Sequence, residues 1–123
     1  MPRRGSSRAW RRRHFAVGRA RDGRDHRVYV HAGVDPARLL DAQDETTLLT
    51  KRYAADDASG HGARHVVHGH HPFRDGPKLL RGRTDLDTLA WQTGRLVIGV
   101  FEDEQPGGPT ELIEVKGPSY QQV

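Results

Sequence analysis

The side chains best suited to chemistry are histidines at the ends of two short apolar runs. His31 closes Arg27–His31 (RVYVH), whose β-branched and aromatic residues before a glycine predict a strand. His70 sits in His68-Gly69-His70-His71-Pro72, just after the apolar pair Val66–Val67. Strand tips that meet loops are where α/β proteins build sites. Neutral imidazole is the commonest nitrogen ligand for first-row metals, so His31 and His70 on separate tips are candidates to share one. Two ligands fall short of the three or four that zinc sites ask for. His68 and His71 are close by, but neighbouring strand residues point to opposite faces, so only part of the cluster can converge. The plain alternative is a solvated histidine loop. With no cysteine in the chain, disulfides, thiolate zinc sites, Fe–S clusters and cysteine nucleophiles are excluded.

The elements that must position these histidines read as short strands with polar tips. Ala32–Pro36 is a turn marked by Gly33 and Pro36. From Ala37 to Tyr53, leucines at 39, 40, 48 and 49 recur at helical spacing and predict a broken helix. Asp56–Gly62 reads as a loop, and Val66–Val67 as a short buried strand. Lys78–Leu80 and Arg83–Asp87 predict two further short strands around Gly82. Arg95–Glu102 (RLVIGVFE) is the strongest strand signal, apolar on both faces at its middle, and is expected to be buried on both sides. Gln105–Pro109 is a hairpin loop, and Thr110–Lys116 returns antiparallel. No internal repeat, heptad or phosphate-binding glycine loop is present.

The chain has 123 residues, one domain's length, and a net charge of +4. Leu, Ile, Val and Phe make up 25 of them, so material for a core is thin. The charge is uneven. Residues 1–27 hold ten Arg against two Asp, a balance of +8. Residues 28–123 hold ten Lys or Arg against fourteen Asp or Glu, a balance of −4, and carry all but Phe15 and Val17 of the core-formers. Residues 1–26 therefore read as a basic leader to a body at 27–118, followed by a short tail at 119–123. Three readings of the leader stay open: a phosphate-binding arm with Trp10 and Phe15 to stack on bases, a disordered tail, or the product of a wrong start. Nucleic acid is thus a partner through the arm alone, and the less favoured one. Paired arginines without a following apolar stretch do not make a signal peptide, so a cytoplasmic location is expected. No run of 18 apolar residues exists to span a membrane as a helix.

The order of motifs in the body resembles a known family. Val30-His31-Ala32-Gly33-Val34-x-Pro36 is followed by an acidic, leucine-rich segment ending in Arg52. Then come Val67-x-Gly69-His70-x-Pro72, Asp85-Leu86-Asp87-Thr88-x-Ala90 and the Gly94-Arg95-Leu96 hairpin start. This order is similar to the C-terminal half of the calcineurin-like metallophosphoesterases, in the branch of the bacterial serine/threonine protein phosphatases and dinucleoside tetraphosphatases. The likeness covers residues 27 to 118. It implies an α/β fold of α+β character, half of a β-sandwich flanked by helices, with mostly short strands and a C-terminal β-hairpin. It implies a hydrolase in which two divalent metals (Mn, Fe or Zn) activate a water and clamp a phosphoryl group of a phosphorylated protein or a dinucleotide. By the same resemblance His31 and His70 are metal ligands and Arg52 holds the substrate phosphate, a task suited to a planar, always-charged group. Asp87 and Thr88 are supporting, loop-positioning residues. Taken without the family, Arg52 reads equally as a solvated helix-end cation, and Asp87 as a turn aspartate.

The family's first half carries Asp-x-His, Gly-Asp-x-x-Asp-Arg and Gly-Asn-His-Glu/Asp, and none occurs here. The asparagine ligand has no counterpart, because the chain contains no Asn. In the retained half, His71 replaces the usual Thr, Thr50 a common Trp, and Leu89 a Gly. A leucine where the backbone needs positive φ implies strain. The expectation is a truncated or degenerate phosphoesterase with little or no activity alone. The alternative is a basic-arm nucleic-acid-binding or structural protein without catalysis.

Overall fold

The computed structural model describes residues 14–119. The chain forms a mixed α/β structure of mostly strands with few helices. A five-stranded sheet has the order β1-β2-β3-β5-β4, built from β1 Phe15–Arg19, β2 Asp25–Val30, β3 His65–His68, β4 Lys78–Leu79 and β5 Arg83–Asp85. The three central strands, β2, β3 and β5, run parallel, and the edge strands β1 and β4 are antiparallel to their neighbours. Parallel neighbours need a crossover. Residues 31–64 supply it between β2 and β3, with a 3-10 turn at Leu40–Ala42 and helix α1 at Glu45–Thr50. That is the broken helix expected from the leucine spacing.

Register sorts the side chains onto two faces, because partners side by side in a sheet point the same way. One face carries Val28, Val66, His68, Arg83 and Asp85. The crossover covers it, and Val28, Val34, Leu48 and Val66 make the buried core, with Phe15, Val30 and Leu40 packed around them. The other face carries Arg27, Tyr29, His65, Val67 and Thr84. A second, two-stranded sheet lies against it: β6 Arg95–Val100 and β7 Glu111–Lys116. Helix α2, Ala90–Thr93, leads into β6.

One buried cation fastens this hairpin. The Arg27 guanidinium donates to the carbonyls of Glu102 (3.1 Å), Gly107 (2.8 Å) and Gln105, all in the hairpin loop. Its side chain also lies 5.0 Å over the Phe101 ring, which meets Tyr29 edge-on. At the other end of β6, Arg95 donates to the carbonyls of Arg74 and Gly76 and pairs with Glu114.

Two expectations from sequence are corrected. β6 is not buried on both sides. Val97 is 7% exposed, whereas Leu96 and Ile98 are 51% and 44% exposed. The strand pairs only with β7, so the ribbon lays one face on the sheet and leaves Leu96, Ile98, Ile113 and Val115 together on the other. The folded body also begins before residue 27. Phe15–Arg19 pairs with β2 and extends the sheet by one strand, and β2 itself starts at Asp25. Arg19 ends this edge strand exposed to water, while Phe15 and Val17 at alternate positions pair beside Val30 and Val28 and face the core. Residues 1–13, with Trp10, lie outside the described residues. Among the described residues no helix is long and apolar enough to cross a membrane.

Candidate functional site

The C-terminal tips of β2 and β3 are adjacent because those strands pair in parallel, from Arg27 beside His65 to Tyr29 beside Val67. His31 leaves the first tip and His70 the second. Their ring centroids are 5.0 Å apart with planes tilted by 59°. The backbone joins the tips as well, since the Gly69 N–H donates to the His31 carbonyl at 2.9 Å. His70 is at the centre of a three-residue turn, with φ of 72° and the His71 N–H bonded to the Gly69 carbonyl at 2.8 Å. A γ-turn of this hand is rare and strained for a residue with a Cβ. Such strain persists where the surroundings over-determine it, and it clusters at functional sites.

The crossover holds the first tip. The Ala32 N–H donates to the Leu48 carbonyl of α1 at 3.0 Å, and the Val34 N–H to the Tyr53 hydroxyl at 3.1 Å. A Cβ on Gly33 would stand 2.6 Å from the Tyr53 ring, so this close approach requires glycine. Arg52, between α1 and Tyr53, is exposed. Burial first, and then the charges of Arg52, Arg83 and His70, hold the His71 imidazole below its ordinary pKa.

The histidine cluster divides by direction. His68 points inward and is 4% exposed. Its Nε2 accepts from the Arg83 guanidinium at 3.0 Å, and its Nδ1 lies 3.0 Å from the Gly69 carbonyl, the pattern of a neutral ring with its proton on Nδ1. Burial pushes its pKa down to about 4. His71 instead packs on Phe73, with ring centroids 4.6 Å apart. Only His70 of the three meets His31.

Asp87 stands beyond the end of β5, not within a strand as the sequence suggested, because an aspartate turn intervenes. The buried Asp85 carboxylate accepts the Asp87 N–H at 3.0 Å, and the Asp87 carboxylate accepts the Leu89 N–H at 3.0 Å. These two successive Asx turns carry the chain round to Leu89, which is left-handed at φ 57°, ψ 48°. The strain expected at this leucine is present. Asp87 also lies beside the Gly69 turn, 3.7 Å from where a Gly69 Cβ would stand. Thr88 is buried, and its hydroxyl donates to the Arg95 carbonyl. Asp87 and Thr88 thus shape the loop that faces the histidine pair.

Sequence reasoning did not single out Arg83 and Asp85. Arg83 is 2% exposed, donates to the carbonyls of Ala54 and Asp57 as well as to His68, and lies 4.3 Å over the Tyr53 ring. Asp85 is fully buried with one carboxylate oxygen unpartnered among the described residues, and burial, with Asp87 nearby, raises its pKa to about 6. The available signal was their place on a short strand beside His68, in a run (Arg83-Thr84-Asp85) too polar for a buried strand unless its groups pair.

The resemblance implies two divalent metals. Among the described residues no group of three or more His, Cys, Asp or Glu side chains converges as a metal-ligand set. His31 and His70 supply two imidazoles, and Asp87 beside the Gly69 turn does not complete a ligand set with them, so they do not fit a two-metal centre. What the tips do assemble is a pair of imidazoles, one of them on a strained turn. No family model matches the chain, and no curated protein and no solved structure matches it either.

Proposed function

We propose that this chain is a diverged counterpart of the C-terminal half of a metallophosphoesterase domain, one that binds phosphate esters and does not hydrolyse them unaided. The observation that carries the reading is the meeting of His31 and His70, 39 residues apart in sequence, at the tips of adjacent parallel strands with rings 5.0 Å apart. The strained turn at His70 supports it, and the exposed Arg52 is a cation whose charge reaches the adjoining His71. Imidazole N–H groups and a guanidinium are donors matched to phosphate oxygens. No hydrolytic step is assigned, because the described residues hold no metal-ligand set.

The test is twofold. Purified chain with p-nitrophenyl phosphate and Mn²⁺ is expected to show no turnover above background. Robust turnover that His70→Ala abolishes overturns the inactive reading. Calorimetric titration with inorganic phosphate is expected to show weak binding that Arg52→Ala and His70→Ala each reduce at least about tenfold, the scale of one charge-assisted hydrogen bond. No phosphate binding by the unaltered chain removes the basis of the proposal.

A further inference from the structure

The outward face of the β6–β7 ribbon is apolar and uncovered among the described residues. Each strand has six residues, so the ribbon is about 20 Å long. Register places Leu96 beside Val115, Ile98 beside Ile113 and Val100 beside Glu111, all on this face. Leu96, Ile98, Ile113 and Val115 are 41–51% exposed. Single exposed apolar side chains need no partner, but a contiguous strip of them on one face marks an interaction surface.

The charges at the two ends of the strip say what covers it. The loop end is acidic. Glu111 closes the strip on the same face, and Glu102, Asp103 and Glu104 are exposed just beyond it. The open end carries Arg95 and Lys116, side by side in register. Glu114 sits next to them on the sheet-side face and pairs with both, which leaves this end with one positive charge in excess. A uniformly basic partner meets Arg95 and Lys116 at the open end. A uniformly acidic one, an anionic bilayer included, meets four carboxylates at the loop end. A surface that fits both ends carries the same strip with its charges in the reverse order. A second copy of this chain, turned end for end, is such a surface.

Two-fold stacking of two ribbons comes in two orders. With the loops together, four carboxylates face four. With the loops at opposite ends, each acidic loop lies over the Lys116 end of the other copy, and the apolar middles coincide. Pairing of two copies edge to edge along β7 leaves the strip in water.

We infer that two copies of this chain associate through the outward faces of their β6–β7 ribbons, stacked face to face and end for end. The strip covers less than the roughly 800 Å² per partner of a standard interface, so the dimer is weak and reversible, with a dissociation constant on the order of 10–100 µM.

The experiment is sedimentation equilibrium on the full chain at low salt, from about 5 to about 300 µM, a range that brackets that constant. A monomer–dimer equilibrium is expected. Ile98→Lys sets a charge in the middle of the strip and is expected to weaken association at least about tenfold. Glu111→Lys and Lys116→Glu are each expected to weaken it about fivefold, because like charges then meet at both ends. An equimolar mixture of these two variants is expected to recover the affinity of the unaltered chain, since each end again meets its opposite. A chain that stays monomeric throughout overturns the inference. A dimer that Ile98→Lys leaves intact forms elsewhere, along the β7 edge for example, and also overturns it. A mixture that associates no better than either variant alone overturns the end-for-end order. Glu111 and Lys116 are exposed, so the charge-reversal pair decides the matter even where Ile98→Lys does not fold.

Discussion

Asp85 offers the sharpest physical test of the layer beneath the histidine pair. It is fully buried; one carboxylate oxygen accepts the Asp87 N–H, the other has no partner among the described residues, and its pKa rises from 3.8 to about 6. The groups around it are His68 and Lys78 on the flanking strands, Arg83 on its own strand and Asp87 in the turn. Below pH 3.8 the carboxyl is protonated in both the folded and the unfolded chain, and its contribution to stability is fully present. As pH rises through 6, the unfolded chain ionises freely while the folded chain must ionise a buried group, so that contribution is lost. The gap between 3.8 and about 6 corresponds to about 3 kcal/mol, of which about 2 kcal/mol falls between pH 4.5 and 7. Asp85→Asn keeps the acceptor for Asp87 N–H and cannot ionise. Urea unfolding followed by far-ultraviolet circular dichroism, at half-unit steps from pH 4.5 to 7, gives stability for both proteins. The stability of Asp85→Asn relative to the unaltered chain is expected to rise by about 2 kcal/mol across that range. His68, held near 4, drives stability the opposite way in this window: its contribution is present above 6.5 and lost as pH falls through 4. It belongs to both proteins and cancels in the difference. A difference that is flat, or that falls with pH, would show Asp85 ionised and well paired in the folded state and refute the reasoning.

Arg27→Met removes the guanidinium that satisfies three carbonyls of the hairpin loop and leaves them facing the sheet without a donor. A loss of about 3 kcal/mol or more is expected, read as a lower thermal midpoint, with amide exchange speeding first in residues 101–109; an unchanged midpoint would show the loop held by other contacts. Leu89→Gly places glycine at φ 57°, ψ 48°, where leucine is strained by about 1 kcal/mol or more, partly offset by glycine's freer unfolded chain. A small gain in urea midpoint is expected, and a clear loss would mean that packing of the leucine outweighs its backbone strain.

Where a segment's structure follows from its own residues, the sequence could be read. The leucine spacing of 37–53 matches the 3-10 turn and α1, and the Gln105–Pro109 loop does close a hairpin between β6 and β7. His31 and His70 were visible as strand-tip residues because each follows an apolar run and precedes a glycine or proline turn. Burial was less legible. Arg95–Glu102 is as apolar as a central strand, yet nothing in its own sequence says how many neighbours it will have, and one neighbour leaves Leu96 and Ile98 in water. Phe15–Arg19 reads as leader because arginines dominate its surroundings, yet β2 offers it an edge to pair with. Arg27, Arg83 and Asp85 look like surface charges in sequence. They are buried because carbonyls, a histidine and a backbone N–H from distant segments meet them.

The amino-acid sequence by itself determined which chemistry is out of reach and which side chains are available. No cysteine and no asparagine, two histidines at strand tips and an arginine after a helix are facts of composition and spacing, independent of how the chain is arranged. Only the tertiary structure decided which of those side chains meet. Parallel pairing of β2 with β3 sets His31 against His70, while the strand alternation turns His68 inward and packing on Phe73 draws His71 away. The physical reason is that a strand's period of two and its choice of neighbour are settled by long-range pairing and shared burial, and these couple residues that the linear chain holds dozens of positions apart.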